Sequence, residues 1–377
     1  MTANEVIVDL GAIRHNFFEI KRRAGRETRI LCVVKSEAYG HGLLPVAKTL
    51  ESAGVDSLGV FELDEALNLR KAGCKVPILI MMGIMPEEVS AVVENNLTAA
   101  IFQKDIADKL SAAALSRGAV VPVHVKVDTG MTRLGVPAEW VADFLQSLLP
   151  LKGIRLEGIF SHLAVADEPD HPFTGRQIRT FLQAVEESRR LGVCTDAVHI
   201  ANSGALLGKR GLDLGMVRPG ILLYGSPPAE GWAAAASFKP AMTFKSRIIQ
   251  VRTVPAGTSI SYGRAYTTGS RSTIAAIPVG YDDGYSRMIS NNGEVLVRGK
   301  RVPVVGRVCM NLTMADVSLL EAVSVGDEVV LLGTQGKERI TAEEIAKRIG
   351  TISYEIYCSI GKSNLRTYIG SQDAARE

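Results

Sequence analysis

Residues 29 to 42 read Arg-Ile-Leu-Cys-Val-Val-Lys-Ser-Glu-Ala-Tyr-Gly-His-Gly, an apolar run that ends abruptly at Lys35 with an aromatic hydroxyl, Tyr39, four residues on. An amine at the rim of a buried strand can capture an aldehyde cofactor. The same placement also suits a snorkelling lysine whose stem caps the strand while its ammonium stays wet. The rest of the chain repeats the pattern. Lys126, Asp128 and Arg133 end or follow the run at 121–127, and Ser161 and His162 follow the one that closes at Phe160. Asn202 and Ser203 come just after Val198 to Ile200, and Arg218 and Gly220 lie in the last such segment. Asn202-Ser203-Gly204 and Arg218-Pro219-Gly220-Ile221 suit a phosphate held by backbone N–H groups at a helix start. Ser203 also reads as a helix N-cap and Gly220 as turn chemistry.

The elements that must position these groups alternate. Apolar runs occur at Ile30 to Val34, Ser57 to Val60, Ile78 to Met82, Thr98 to Ile101, Val121 to Val127, Leu156 to Phe160, Val198 to Ile200, and in a last segment from Leu214 to Leu223. Helical periodicity fills the intervals: Ile13 to Arg23, Leu43 to Ser52, Leu63 to Lys71, Glu87 to Asn95, Asp105 to Ser116, Ala138 to Leu148 and Gly175 to Leu191. The first run shows no polar alternation, as expected of a parallel strand buried on both faces. Eight strands with their helices predict an α/β fold, a (β/α)8 TIM barrel over residues 9–235, whose functional groups gather at the C-terminal strand ends. A doubly wound open sheet fits the alternation too, but no G-x-G-x-x-G follows the first strand.

After the Ala-rich stretch Glu230 to Ser237 the chain becomes rich in Val, Ile and Thr, punctuated by Pro-Ala-Gly, Asn-Asn-Gly and Gly-Lys-Arg. Short strands joined by tight turns are predicted, giving a mainly β domain over 240–377, joined by an N-terminal strand at 1–8. One late helix is expected, Ala342 to Arg348, opened by a capping box of Thr341 and Glu344.

Bulk properties narrow the partners. The chain has 377 residues, 46% apolar and 22% charged, with a net charge of +3 and scattered Lys and Arg. That argues for an enzyme-sized globular protein and against nucleic acid. Cys32, Cys74, Cys194, Cys309 and Cys358 are widely spaced without a C-x-x-C pair, which fits a reducing cytoplasm and neither a disulfide framework nor a zinc ribbon. No basic, apolar leader opens the sequence and no run approaches a membrane span, so neither export nor a membrane is expected. Gly361-Lys362-Ser363 has Ile356 where a P-loop needs its first glycine. His15, His124, His171 and His199 read as ordinary surface, strand or loop residues, and no metal is implied.

Four motifs carry a resemblance. Val-Lys-Ser-Glu-Ala-Tyr-Gly-His-Gly, Val-Lys-Val-Asp-Thr-Gly-Met-Thr-Arg-Leu-Gly, His-Ile-Ala-Asn-Ser-Gly-Ala and Val-Arg-Pro-Gly-Ile-Leu-Leu-Tyr-Gly resemble the pyridoxal-phosphate-dependent alanine racemases. Ile-Ser-Tyr-Gly-Arg-Ala-Tyr, Val-Gly-Tyr-Asp-Asp-Gly-Tyr-Ser-Arg and Gly-Arg-Val-Cys-Met-Asn-Leu-Thr-Met-Ala-Asp continue it in the family's order over nearly the whole chain.

The resemblance implies that Lys35 carries pyridoxal 5′-phosphate, that Tyr39, Ser203, Gly220, Ile221 and Tyr354 hold its phosphate, and that Arg218 faces the pyridine nitrogen. His162 would support Arg218, with Asn202 in the same network. Arg133 would bond the phenolic oxygen, and Lys126 matches a lysine carbamylated in some members. Lys35 and Tyr262 would be the two bases, one on each face of the substrate α-carbon; by itself Tyr262 reads equally as a strand tyrosine. Arg133, Met310 and Tyr281 would contact the substrate, with Tyr281 and Tyr354 narrowing the pocket toward a methyl side chain. Tyr262 and Met310 come from the opposite subunit in this family, which implies a homodimer with shared sites.

The implied function is interconversion of L- and D-alanine for peptidoglycan. The alternatives are a broader amino-acid racemase, for example of serine, and a non-catalytic binder of the cofactor. A decarboxylase on the same scaffold would place a carboxylate where Arg218 stands, and the non-catalytic binders resemble the barrel alone. Two departures stand out. Asn311 replaces an Asp common in the family, and the ending Ser-Ile-Gly-Lys-Ser-Asn-Leu-Arg-Thr-Tyr lacks its usual Arg-Val-Pro-Arg.

Overall fold

The computed structural model describes residues 3–168, 170–193, 195–208, 212, 214–229 and 231–370. Cys194, Glu230 and the ends of the predicted terminal segments, 1–2 and 371–377, lie outside the described residues. The chain divides into two compact units, residues 13–38 with 43–239, and residues 1–12 and 39–42 with 240–377.

The first unit is the predicted barrel. Its strands are β1 (Arg29–Val33), β2 (Ser57–Val60), β3 (Ile78–Ile80), β4 (Thr98–Ile101), β5 (Val121–Asp128), β6 (Ile154–Phe160), β7 (Ala197–His199) and β8 (Met216–Val217). Each pairs in parallel with the next from β1 to β7, and β8 pairs with β1. Parallel bridges Val198 to Gly215 and Asn202 to Arg218 link β7 to β8, so the eight strands nearly close. Burial explains the composition: Ile30, Leu31, Cys32, Leu58, Ile78, Ile80, Ala99, Val123 and Val125 are all at most 1% exposed, leaving no face for water. Only two residues of the expected Leu214–Leu223 segment form a strand. Pro219 and Gly220 break the ladder, and Ile221–Tyr224 turns into a 3₁₀ helix.

The second unit is mainly β. A mixed sheet runs Lys300–Pro303, Glu294–Val297, Glu328–Gln335, Met242–Arg247, Glu5–Asp9, Arg366–Ile369, with Glu338–Ile340 added to Glu328–Gln335. Only the pair of Glu5–Asp9 with Arg366–Ile369 in this sheet is parallel, which gives the divergent C-terminal segment its role as an edge strand. A three-stranded antiparallel sheet (Gln250–Val254, Ser272–Ile277, Thr313–Asp316) packs around Ile260, Ile274 and Val305.

The expectation of a single late helix fails. Ala342–Ile349 is capped by Thr341 as predicted, but Ser353–Ser363 forms another helix. Its Ile and Tyr content favours a strand locally. Burial of Ser353, Ile356, Tyr357, Ile360 and Gly361 on one face overrides that preference. Gly361 lies so close to the Gly40 backbone that no Cβ could fit between them, and Gly40, at φ +83°, has no room for one against the Tyr357 carbonyl.

Candidate active site

The strand β1 delivers Lys35. Val33 N–H donates to the Pro219 carbonyl (2.9 Å) and Val34 N–H to Gly59 (2.8 Å), fixing the strand end from both neighbours. The chain then turns left-handed: Ser36, Glu37, Ala38 and Tyr39 all have φ between 52° and 57°, with no glycine among them. Left-handed L-residues are costly, at roughly 1–2 kcal/mol each, so the turn must be held from outside. Glu65 holds it, accepting the Ser36 N–H at 2.5 Å. Lys35 is half-buried with Nζ 4.8 Å from the Phe61 ring centroid.

Arg218 is the centre of the rim. It is 3% exposed and donates to His199 Nδ1 (2.8 Å), the His199 carbonyl (2.9 Å), the Ser161 carbonyl (2.5 Å) and the Ile200 carbonyl (3.4 Å). His162, the expected support, is at 3.4 Å, while His199 is the close partner. His199 in turn meets His124, with Nε2 and Nδ1 2.8 Å apart. The reading of His124 and His199 as ordinary strand residues missed this role, as it missed Phe160. That ring stacks on His199 at 4.9 Å and lies under both Arg218 and Lys126. Burial pulls the Arg218 guanidinium down to about 9, still charged at neutral pH.

Lys126, Asp128, Arg133 and His162 line one recess. Burial, then Arg218, Arg133 and Lys35, lowers Lys126 to about 8, with Asp128 opposing. His162 is pushed well below the usual histidine range by burial first and by the same cations, so it is neutral.

Around the last two strands Asn202 Oδ1 accepts the Ala205 N–H at 3.0 Å and so caps the helix Ser203–Gly208. Ser203 is thus freed from capping. Its Oγ accepts from Gly220 N–H (3.0 Å) and Leu222 N–H (3.4 Å), tying the two loops together, and Ile221 is buried behind them.

The β unit gathers its own set. Tyr39 and Tyr354 approach with ring centroids 5.7 Å apart, and burial, reinforced by Tyr354 and Cys358, raises the Tyr39 phenol. Elsewhere in this unit the loop 307–311 joins three expected residues. Ser261 Oγ donates to the Arg307 carbonyl (2.6 Å), fixing the turn before Tyr262. Tyr281 N–H donates to the Cys309 carbonyl and Asp282 N–H to that of Met310. Tyr262, Met310 and Tyr281 are 72%, 54% and 43% exposed.

Family models for the N-terminal and C-terminal domains of alanine racemase match residues 8–228 and 241–368. The alanine racemase of Syntrophobacter fumaroxidans is 48% identical over 370 residues, covering 98% of each chain. The chain belongs to the alanine racemase family. Among solved structures, the alanine racemase from D-cycloserine-producing Streptomyces lavendulae matches with TM-score 0.93 at 34% identity, over 100% of both chains. That of Bartonella henselae, which has covalently bound pyridoxal phosphate, matches with TM-score 0.87 at 27% identity over 97% of this chain and 99% of that one.

Within the alanine racemase family the Asn311 departure has a local reason here. Its Nδ2 donates to Asp282 Oδ2 at 3.2 Å, where a carboxylate would face a carboxylate.

Proposed function

We propose that this protein interconverts L- and D-alanine using pyridoxal 5′-phosphate carried on Lys35. The observation that supports it most is the charge of the rim. Lys35, Arg133 and Arg218 all act on Lys126, and among the described residues Asp128 opposes them. Such a donor set suits a group bearing a phenolate and a phosphate. Ser203, the Ile221 N–H and the phenols Tyr39 and Tyr354 would hold the phosphate, together with the Gly220 N–H once it leaves Ser203 Oγ, to which it now donates; Arg133 would hold the phenolic oxygen.

The cofactor, when bound, supplies an electron sink for the pair released at the substrate α-carbon. Arg218 would face the ring nitrogen; still charged at neutral pH, it has a proton to share and none to accept, so that nitrogen would stay unprotonated, the sink would be weaker than with a carboxylate partner, and transamination would be disfavoured. His162 supports Arg218, and Asn202 lies in the same network. Lys35 Nζ exchanges the α-proton of the D-isomer and Tyr262 Oη that of the L-isomer. Met310 and Tyr281 would contact the substrate, and Tyr281 and Tyr354 would narrow the pocket toward a methyl side chain.

Because Tyr262, Met310 and Tyr281 are exposed together, a second copy is their natural complement, and a homodimer with shared sites follows. The D-alanine formed would supply peptidoglycan in the cytoplasm; among the described residues no helix is long and apolar enough to cross a membrane. The test is to incubate purified protein with L-alanine and follow its circular dichroism. Decay to zero is expected; a constant signal while the cofactor's visible absorption persists overturns the assignment.

A further inference from the structure

The parallel strands have a second end. Residues at and near their N-terminal starts line an open cleft of about 70 Å³, among them Arg29, Asp56, Ser57, Thr98, His124 and Glu157, at the opposite end of the barrel from Arg218. Among the described residues two groups in it lack hydrogen-bond partners, Arg29 Nη2 and Ser57 Oγ, both buried, and Ser57 is only 7% exposed. Two carboxylates also line the cleft, each with one oxygen held elsewhere. Asp56 Oδ2 accepts the Ile30 N–H at 2.8 Å, and Glu157 pairs with Arg155 at 3.1 Å.

The histidines add a third donor. A guanidinium has no acceptor, so Arg218 must donate to His199 Nδ1. Burial holds both imidazoles neutral, His124 at about 3 and His199 well below the usual range. His199 therefore carries its proton on Nε2 and donates it to His124 Nδ1. His124 is left with its proton on Nε2, and among the described residues nothing accepts it. Donors thus point from the C-terminal rim through the barrel into the cleft. An uncompensated buried guanidinium nitrogen is expensive, as is a buried hydroxyl without a partner.

We propose that this cleft binds one compact monovalent anion, of carboxylate or halide size, held by Arg29, Ser57 and His124 and terminating a hydrogen-bonded line that starts at Arg218. The anion strengthens His124, then His199, as acceptors, so its occupancy is felt at the guanidinium on the far side of the barrel.

The test uses the holoenzyme with ¹⁵N-labelled histidine, titrated with sodium formate at constant ionic strength set by sodium gluconate. The ring signals of His124 and His199 should move along one saturable curve. Arg29→Gln should weaken binding about tenfold or more, the loss of one charge-assisted hydrogen bond. Ser57→Ala, which removes only a hydroxyl, should weaken it severalfold and serves if Arg29→Gln does not fold. Linear movement, or curves unchanged in the variants, would mean that water fills the cleft and would overturn the site; a shift at His124 without one at His199 overturns the coupling. Crystals soaked in sodium bromide should show anomalous density beside Arg29 Nη2, and none there counts against the proposal.

Discussion

One oxygen of the Glu65 carboxylate accepts the Ser36 N–H at 2.5 Å while the other accepts the Phe61 N–H at 2.8 Å. The segment after β2 thereby clamps the left-handed turn that follows Lys35, and a charge-assisted bond of about 1.5–3 kcal/mol offsets part of its strain.

Glu65→Gln is the sharpest probe of this clamp, since an amide presents an N–H to one of the two donors. A fall in melting temperature of a few degrees and a drop in kcat of about tenfold or more are expected, with the fold retained. Unchanged kcat, alongside a lowered melting temperature, would show that the turn does not depend on Glu65 for its geometry.

Tyr262→Phe should separate the two faces. Racemisation should fall by about a thousandfold, within the range of a lost general base, yet the α-hydrogen of D-alanine should still exchange with D₂O through Lys35. Proton NMR reads this directly. Equal loss of exchange from both isomers would contradict the two-base assignment.

Mixing inactive Lys35→Ala and Tyr262→Phe proteins tests the shared sites. Random reassortment of dimers restores about a quarter of wild-type activity if each site draws on both subunits. No recovery after verified exchange places both residues in one chain's site.

Lys126 gives a pH signature. Its amine loses its proton near pH 8 in the folded protein, against about 10.4 for an unperturbed lysine. Below pH 8 folded and unfolded chains are both protonated, and the burial cost is fully present. Between the two values the unfolded chain binds more protons, so stability in CO₂-free buffer should rise with pH there, measured by urea unfolding. The neutral amine can attack CO₂, forming an N–C bond and releasing a proton. With ¹³C-bicarbonate above pH 8 a carbamate signal is expected that Lys126→Ala lacks; its absence from the wild type rules out carbamylation.

The barrel was legible because strands buried on both faces leave long apolar runs, and parallel pairing then forces Lys35, Lys126, His162, Ser203 and Arg218 to one rim. The charges of that rim were legible with it. Three features were not. His199 and His124 sit within strands where nothing local separates a structural imidazole from one that orients a guanidinium. The turn at Ser36 to Tyr39 has no glycine to announce its left-handed backbone. The helix Ser353–Ser363 is written in strand-forming residues and exists because of what it buries.

Gly40 and Gly361 carry no functional group, yet they touch backbone to backbone. One follows Tyr39 directly, and the other lies in the last turn of the helix that presents Tyr354. A single methyl group at either position would prise apart the two backbones that bring the Tyr39 and Tyr354 phenols together. Freedom to redesign that pair of rings is therefore limited by two residues that have no side chain at all.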